Sequence, residues 1–112
     1  ANQAGGDVFV SVHANWHQDS SIRGAETYYY SSGGSGLAQS IQSELVNQSG
    51  SINLGVKFGN FYVLRNTVMP AALVEVGFLS NAREAELLTQ QWYQERVARG
   101  IYFGLERYFA GR

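Results

Sequence analysis

Met69-Pro70-Ala71-Ala72-Leu73-Val74-Glu75-Val76-Gly77-Phe78-Leu79-Ser80-Asn81 decides the fold, because it carries a carboxylate through an otherwise unbroken apolar run. Residues 71–76 read as a strand buried on both faces, the pattern of a mainly parallel sheet covered by helices. The single proline, Pro70, stands just before it, where a missing amide takes nothing from the ladder. Upstream, the valine-rich segment 7–12 alternates like a second strand and delivers His13 at its exit, in Ser11-Val12-His13-Ala14-Asn15. In α/β sheets catalytic groups gather at the carboxyl ends of strands, so His13 and Glu75 are expected to converge. An imidazole and an acid placed in this way suggest a metal-assisted hydrolase.

From these two strands the rest of the chain can be laid out. Residues 25–30, rich in tyrosine, read as a strand, and 15–24 as a polar connection to it. The serine and glycine cluster 31–36 precedes a helix over 37–48. That helix sets Leu37, Ala38, Ile41 and Leu45 on one face and Gln39, Gln42, Ser43 and Asn47 on the other. Gly50, Gly55 and Gly59 interrupt 49–60, which reads as a long loop, and 61–64 as a short strand followed by a turn over 67–70. Asn81 with Glu84 three residues later forms a capping pair for a helix over 82–88. A last helix over 91–109 aligns Tyr93, Val97, Ile101, Leu105 and Tyr108. Residues 1–6 resemble the last turn of a helix closed by glycine. The expectation is an α/β domain over 1–112, with a mainly parallel or mixed sheet flanked by helices, forming the later part of a larger three-layer catalytic domain.

Composition narrows the chemistry. At 112 residues the chain fits one domain, and its 15% of charged residues lies below the usual figure of about 25%. A net charge of −1 without a basic run argues against nucleic acid as the main partner. No apolar run reaches membrane-spanning length. With no cysteine, a zinc ion would have to sit on histidine and carboxylate.

Each candidate residue has a plain reading beside its functional one. A lone histidine at a strand end is ordinarily a hydrogen-bonded structural residue, and only further ligands would make His13 a metal site. His17 stands four residues on, but that spacing brings two imidazoles together on a helix, not in a loop. Glu75 near an apolar core needs a cation, a metal or a catalytic role. The plain reading gives it a salt bridge to Arg65 or Lys57; the functional one makes it the general base beside a zinc-bound water. Glu26 is expected to face solvent or pair with Arg23. Arg65 and Asn66, after the short strand, could hold an anionic group such as a lactyl or peptide carboxylate, or form an ordinary surface turn. Tyr28, Tyr29 and Tyr30 pack or decorate the sheet.

Four blocks occur in a fixed order: Ser11 to Asn15, Arg23-Gly24-Ala25-Glu26-Thr27-Tyr28-Tyr29, Phe61-Tyr62-Val63-Leu64-Arg65-Asn66, and Met69 to Asn81. The series resembles the zinc-dependent N-acetylmuramoyl-L-alanine amidases of the bacterial cell wall, of the amidase-3 type. The resemblance implies zinc (Zn2+) as cofactor, His13 as a zinc ligand and Glu75 as the catalytic glutamate. It further implies peptidoglycan as substrate, contacts from Asn15, Arg65 and Asn66, and a location in the cell wall or periplasm. The family's earlier zinc histidine and its zinc glutamate have no counterpart in these residues, and Leu54 stands where an arginine is expected. Two other readings follow: a metal-free peptidoglycan-binding or regulatory module, or an inactive fragment that needs an N-terminal segment of the same domain.

Overall fold

A computed structural model describes residues 7–111. In chain order the elements are β1 (Phe9–Asn15), β2 (Ala25–Tyr29), α1 (Ser32–Ser49), β3 (Asn53–Phe58), α2 (Tyr62–Arg65), β4 (Ala71–Phe78), α3 (Ala82–Leu87) and α4 (Gln91–Ala110). The four strands form one mixed sheet in the order β1-β4-β2-β3. β1 runs parallel to β4 and β2 parallel to β3, while β2 and β4 are antiparallel. β4 therefore has a neighbour on each side, and all eight of its residues are buried, as its apolar run requires. The carboxyl ends of β1 and β4 share one end of the sheet with the amino ends of β2 and β3.

Side chains alternate between two unlike faces. On one, Val10, Ala25, Ala72, Val74 and Val76 meet Leu37, Ala38, Ile41 and Leu45 of α1 and Tyr93 and Val97 of α4. On the other, Leu64 of α2 packs with Ala71, Leu73, Phe9, Tyr28 and Phe61 in a smaller cluster. That second face carries the alternate positions Ser11 and His13 of β1 and Glu75 of β4.

Several boundaries differ from the expectation, each for a local reason. β1 continues to Asn15, so His13 lies inside the strand and not beyond its exit. α1 begins at Ser32 and takes in the glycine cluster; at Gly34 a Cβ would come within 2.5 Å of the Ala71 carbonyl oxygen, so only glycine lets the helix start lie so close to β4. The expected loop over 49–60 contains β3, where one extra residue opposite β2 makes a bulge and Gly55 adopts a φ of 92°. The segment 61–64 is a helical turn, not a strand, with the Leu64 and Arg65 amides both donating to the Phe61 carbonyl. Gln42 is buried and not on a solvent face: it accepts from Thr27 Oγ1 and donates to Ala25 O and Asn53 Oδ1. Asn81 caps α3 as expected, its Oδ1 accepting from the Glu84 amide at 3.1 Å. The helix end read over 1–6 lies outside the described residues.

α1 and α4 touch along two glycines. A Cβ at Gly104 would stand 2.5 Å from Ile41 Cα, and one at Gly100 would stand 2.7 Å from Leu45 Cα. Both obstacles are backbone, so the helices would have to separate. Gly104→Ala is expected to lower stability by roughly 1–3 kcal/mol, the ordinary penalty of overpacking. Gly36→Ala, where the nearest atom would be 3.9 Å away, should instead raise it by roughly 0.5–1 kcal/mol through helix propensity. Urea unfolding of both variants checks the opposite signs.

Candidate active site

Strand register brings three ionisable side chains into one row. His13 on β1 is the Cα partner of Glu75 on β4, and Glu75 is in turn the partner of Glu26 on β2. Directly after Glu75 the pairing shifts by one residue, so β4 bulges beside the site. The imidazole is exposed, with Nε2 2.7 Å from Ser11 Oγ. Glu75 is only 8% exposed, and its Oε2 has no hydrogen-bond partner among the described residues. Burial, the largest cause, raises the Glu75 pKa above the ordinary carboxylate value; His13 opposes this and Glu26 reinforces it.

The two carboxylates have opposite surroundings. Glu26 is also buried, but Lys57 forms an ion pair with it, the Tyr28 hydroxyl donates to it at 2.6 Å and Asn15 Nδ2 at 3.3 Å. Glu26 thus neither faces solvent nor pairs with Arg23, contrary to expectation, because β2 lies between β4 and β3 and points it at Lys57. Burial, followed by the bond to Glu26, pushes the Tyr28 phenol upward. With Lys57 committed to Glu26, neither salt bridge expected for Glu75 forms: Arg65 donates to Asn60 Oδ1 at 3.0 Å and stacks on Tyr62.

His13 and Glu75 are therefore brought together, and Asn15 joins them through Glu26. Arg65 and Asn66 close a helical turn that packs on the amino half of β4, near the exits of β2 and β3 and not those of β1 and β4. His17 follows its plain reading: Nδ1 accepts from the Asp19 amide at 2.9 Å and the ring meets Phe78 edge-on. Sequence reasoning missed the Glu26, Lys57 and Tyr28 network; the available signal was a second carboxylate inside a strand, at Glu26. It also gave Glu84 only a capping role. That side chain is buried, and its carboxylate accepts from the Gly24 amide at 3.0 and 3.1 Å and from the Phe78 amide at 2.8 Å.

The donor chemistry at His13 suits zinc, being an exposed imidazole beside a carboxylate. The number of donors does not suffice. Among the described residues no three of His, Cys, Asp and Glu cluster in a way that could hold a metal, whereas a catalytic zinc takes three protein ligands and a water. These residues thus offer one ligand and a neighbouring base, not a complete metal site.

A protein-family profile for N-acetylmuramoyl-L-alanine amidase, of the amidase-3 type, matches residues 1–107. The N-acetylmuramoyl-L-alanine amidase LytC of Bacillus subtilis is 40% identical over 113 aligned positions, covering 97% of this chain and 23% of LytC. The catalytic domain of CwlV, an N-acetylmuramoyl-L-alanine amidase from Bacillus (Paenibacillus) polymyxa var. colistinus, superposes with a TM-score of 0.93 at 40% identity, over 98% of this chain and 62% of that one. An N-acetylmuramoyl-L-alanine amidase from Clostridium difficile 630 gives 0.95 at 36% identity, over 99% and 62%. The chain thus spans under a quarter of LytC and somewhat less than two thirds of the two solved chains.

Burial of Glu75 has a measurable sign. Its folded pKa lies above the unfolded one, so the folded state holds the proton longer. Stability therefore falls as pH rises from about 4.5 through the raised value, and stays lowered beyond it. Glu75→Gln removes the ionising group, so in the metal-free chain it should raise the thermal midpoint at about pH 8 and lose that advantage near pH 4. Calorimetric scans across this range check it; an advantage independent of pH would contradict the assignment.

Proposed function

We propose that this chain, which belongs to the N-acetylmuramoyl-L-alanine amidase family, acts in hydrolysis of the peptidoglycan amide between the lactyl group of N-acetylmuramic acid and the L-alanine of the stem peptide. The observation that carries this reading is the buried Glu75 carboxylate, with one oxygen free of hydrogen bonds, next to the exposed His13 imidazole. A metal-free wall-binding module would have no use for a desolvated acid whose Oε2 has no hydrogen bond among the described residues, whereas a proton-transfer site does. Zinc is the proposed cofactor, held by His13 with two further ligands from outside the described residues. When bound, zinc supplies a Lewis acid that acidifies water and polarises the amide carbonyl.

The chain's own residues carry the proton. Glu75 Oε2 takes a proton from the attacking water as the new carbon–oxygen bond forms. The same carboxyl returns that proton to the L-alanine nitrogen as the carbon–nitrogen bond breaks, so atoms and charge balance over the cycle. Burial, which raises its basicity, favours the first of these transfers. Glu26 is paired with Lys57 and lies across from Glu75. Asn15, tied to Glu26, and Arg65 with Asn66 are the proposed substrate contacts. The proposed place of action is the cell wall or periplasm; no helix among the described residues is long and apolar enough to cross a membrane.

In the zinc-loaded protein that carries this segment, Glu75→Gln should lower release of new L-alanine amino groups from purified sacculi by about 10²–10⁴-fold while zinc content is unchanged. His13→Ala should lower zinc content itself, read by metal analysis after dialysis. Sacculus cleavage at the parental rate by Glu75→Gln would overturn the proposal.

A further inference from the structure

Behind the sheet, on the side of the long helices, a cavity of about 270 Å³ opens between the end of α1, α3 and the start of α4. Arg23 from the loop before β2, Arg83 of α3 and Arg96 of α4 all line it. These are three of only eight Lys and Arg residues in a chain of net charge −1. None of the three forms an ion pair among the described residues, where the pairs are Lys57 with Glu26 and Arg107 with Glu44. The one acid on the wall, Glu84, has its carboxylate engaged by the Gly24 and Phe78 amides. Three exposed arginines on the rim of one concavity give it a positive potential, which an anion placed between them would neutralise.

Two further features favour the same occupant. α4 opens on this cavity with no acidic residue in its first turn and no side-chain cap from Gln90, so the positive end of a 20-residue helix is left without a counter-charge. Arg96 lies over the Trp92 ring, 5.4 Å from its centre, which holds the guanidinium in place.

We propose that this cavity is a binding site for a phosphate group, free or carried on a short polyol. Three planar forks offer more N–H donors than the two oxygens of a carboxylate can accept, whereas the four oxygens of a phosphate match them. The volume lies just under the usual range of about 300–1,000 Å³ for small-molecule sites. It therefore has room for the phosphate and a glycerol-sized arm, not for a disaccharide. The half-exposed Trp92 gives the carbon skeleton of that arm an apolar ledge.

The test is isothermal titration of the chain, at low ionic strength, with inorganic phosphate, glycerol 3-phosphate and a short glycerol-phosphate oligomer. One saturable equivalent of phosphate is expected, and Arg83→Gln and Arg96→Gln should each weaken it by about ten-fold or more. Arg99→Gln, on α4 but outside the cavity, should leave it unchanged. Tighter binding of glycerol 3-phosphate than of inorganic phosphate assigns a phosphomonoester as the natural source, and equal binding assigns free phosphate; either supports the site, whereas preference for the oligomer, whose diester phosphates keep only two free oxygens, overturns the four-oxygen match. Absence of saturable binding, unchanged affinity in both cavity variants, or an equal loss in Arg99→Gln overturns it. Binding is read without turnover, so Glu75→Gln should titrate like the parent, and failure here leaves the amidase reading untouched.

Discussion

Everything at the catalytic face follows from the burial of β4 on both sides. A strand with hydrogen-bonded neighbours at each edge and side chains packed on one whole face and half of the other leaves little access for water at its middle, and Glu75, 8% exposed, is placed there. The antiparallel neighbour sets a second carboxylate, Glu26, directly across. Two facing acids cannot both ionise cheaply, and the structure resolves this by giving the one available ammonium, Lys57, to Glu26 alone. One acid has a cation beside it and the other has none among the described residues, so burial bears differently on two chemically identical groups.

The two faces of the sheet divide the remaining tasks. α1 and α4 close over one face with an interlocked aliphatic core, brought near by glycines in α4. Among the described residues the opposite face has only the short α2 and a small cluster over the amino half of β4, leaving the row from His13 to Glu26 beyond that cluster. The acid is thus positioned by packing on the far side of the sheet from its own open face.

Much of this was legible in the chain. The apolar run of β4, the Asn81 cap and the stripe of α4 each contain their own explanation locally, so periodicity and capping chemistry sufficed. The pairing of His13 with Glu75 was legible because both strands carry a chemical residue near the same end. Glycines misled where their reason is tertiary: Gly34 is set by a carbonyl of β4, and Gly55 by a bulge against β2, so neither marks a loop. The run 61–64 is too short for periodicity to separate strand from helical turn. Glu26 was misread because its cation lies 31 residues away, on a strand hidden within an apparent loop.

Glu84 has a wider reach than its place in a six-residue helix suggests. Its carboxylate joins the amide before β2 to the last amide of β4, and its own amide rests on the Asn81 cap. A helix this short has little stability of its own, so it depends on the buried acid together with the Asn81 cap and the packing of Leu87 and Leu88. Unlatching the carboxylate frees the entry of one strand and the exit of another together. Two strand ends more than fifty residues apart in the chain are thus secured by a single buried side chain.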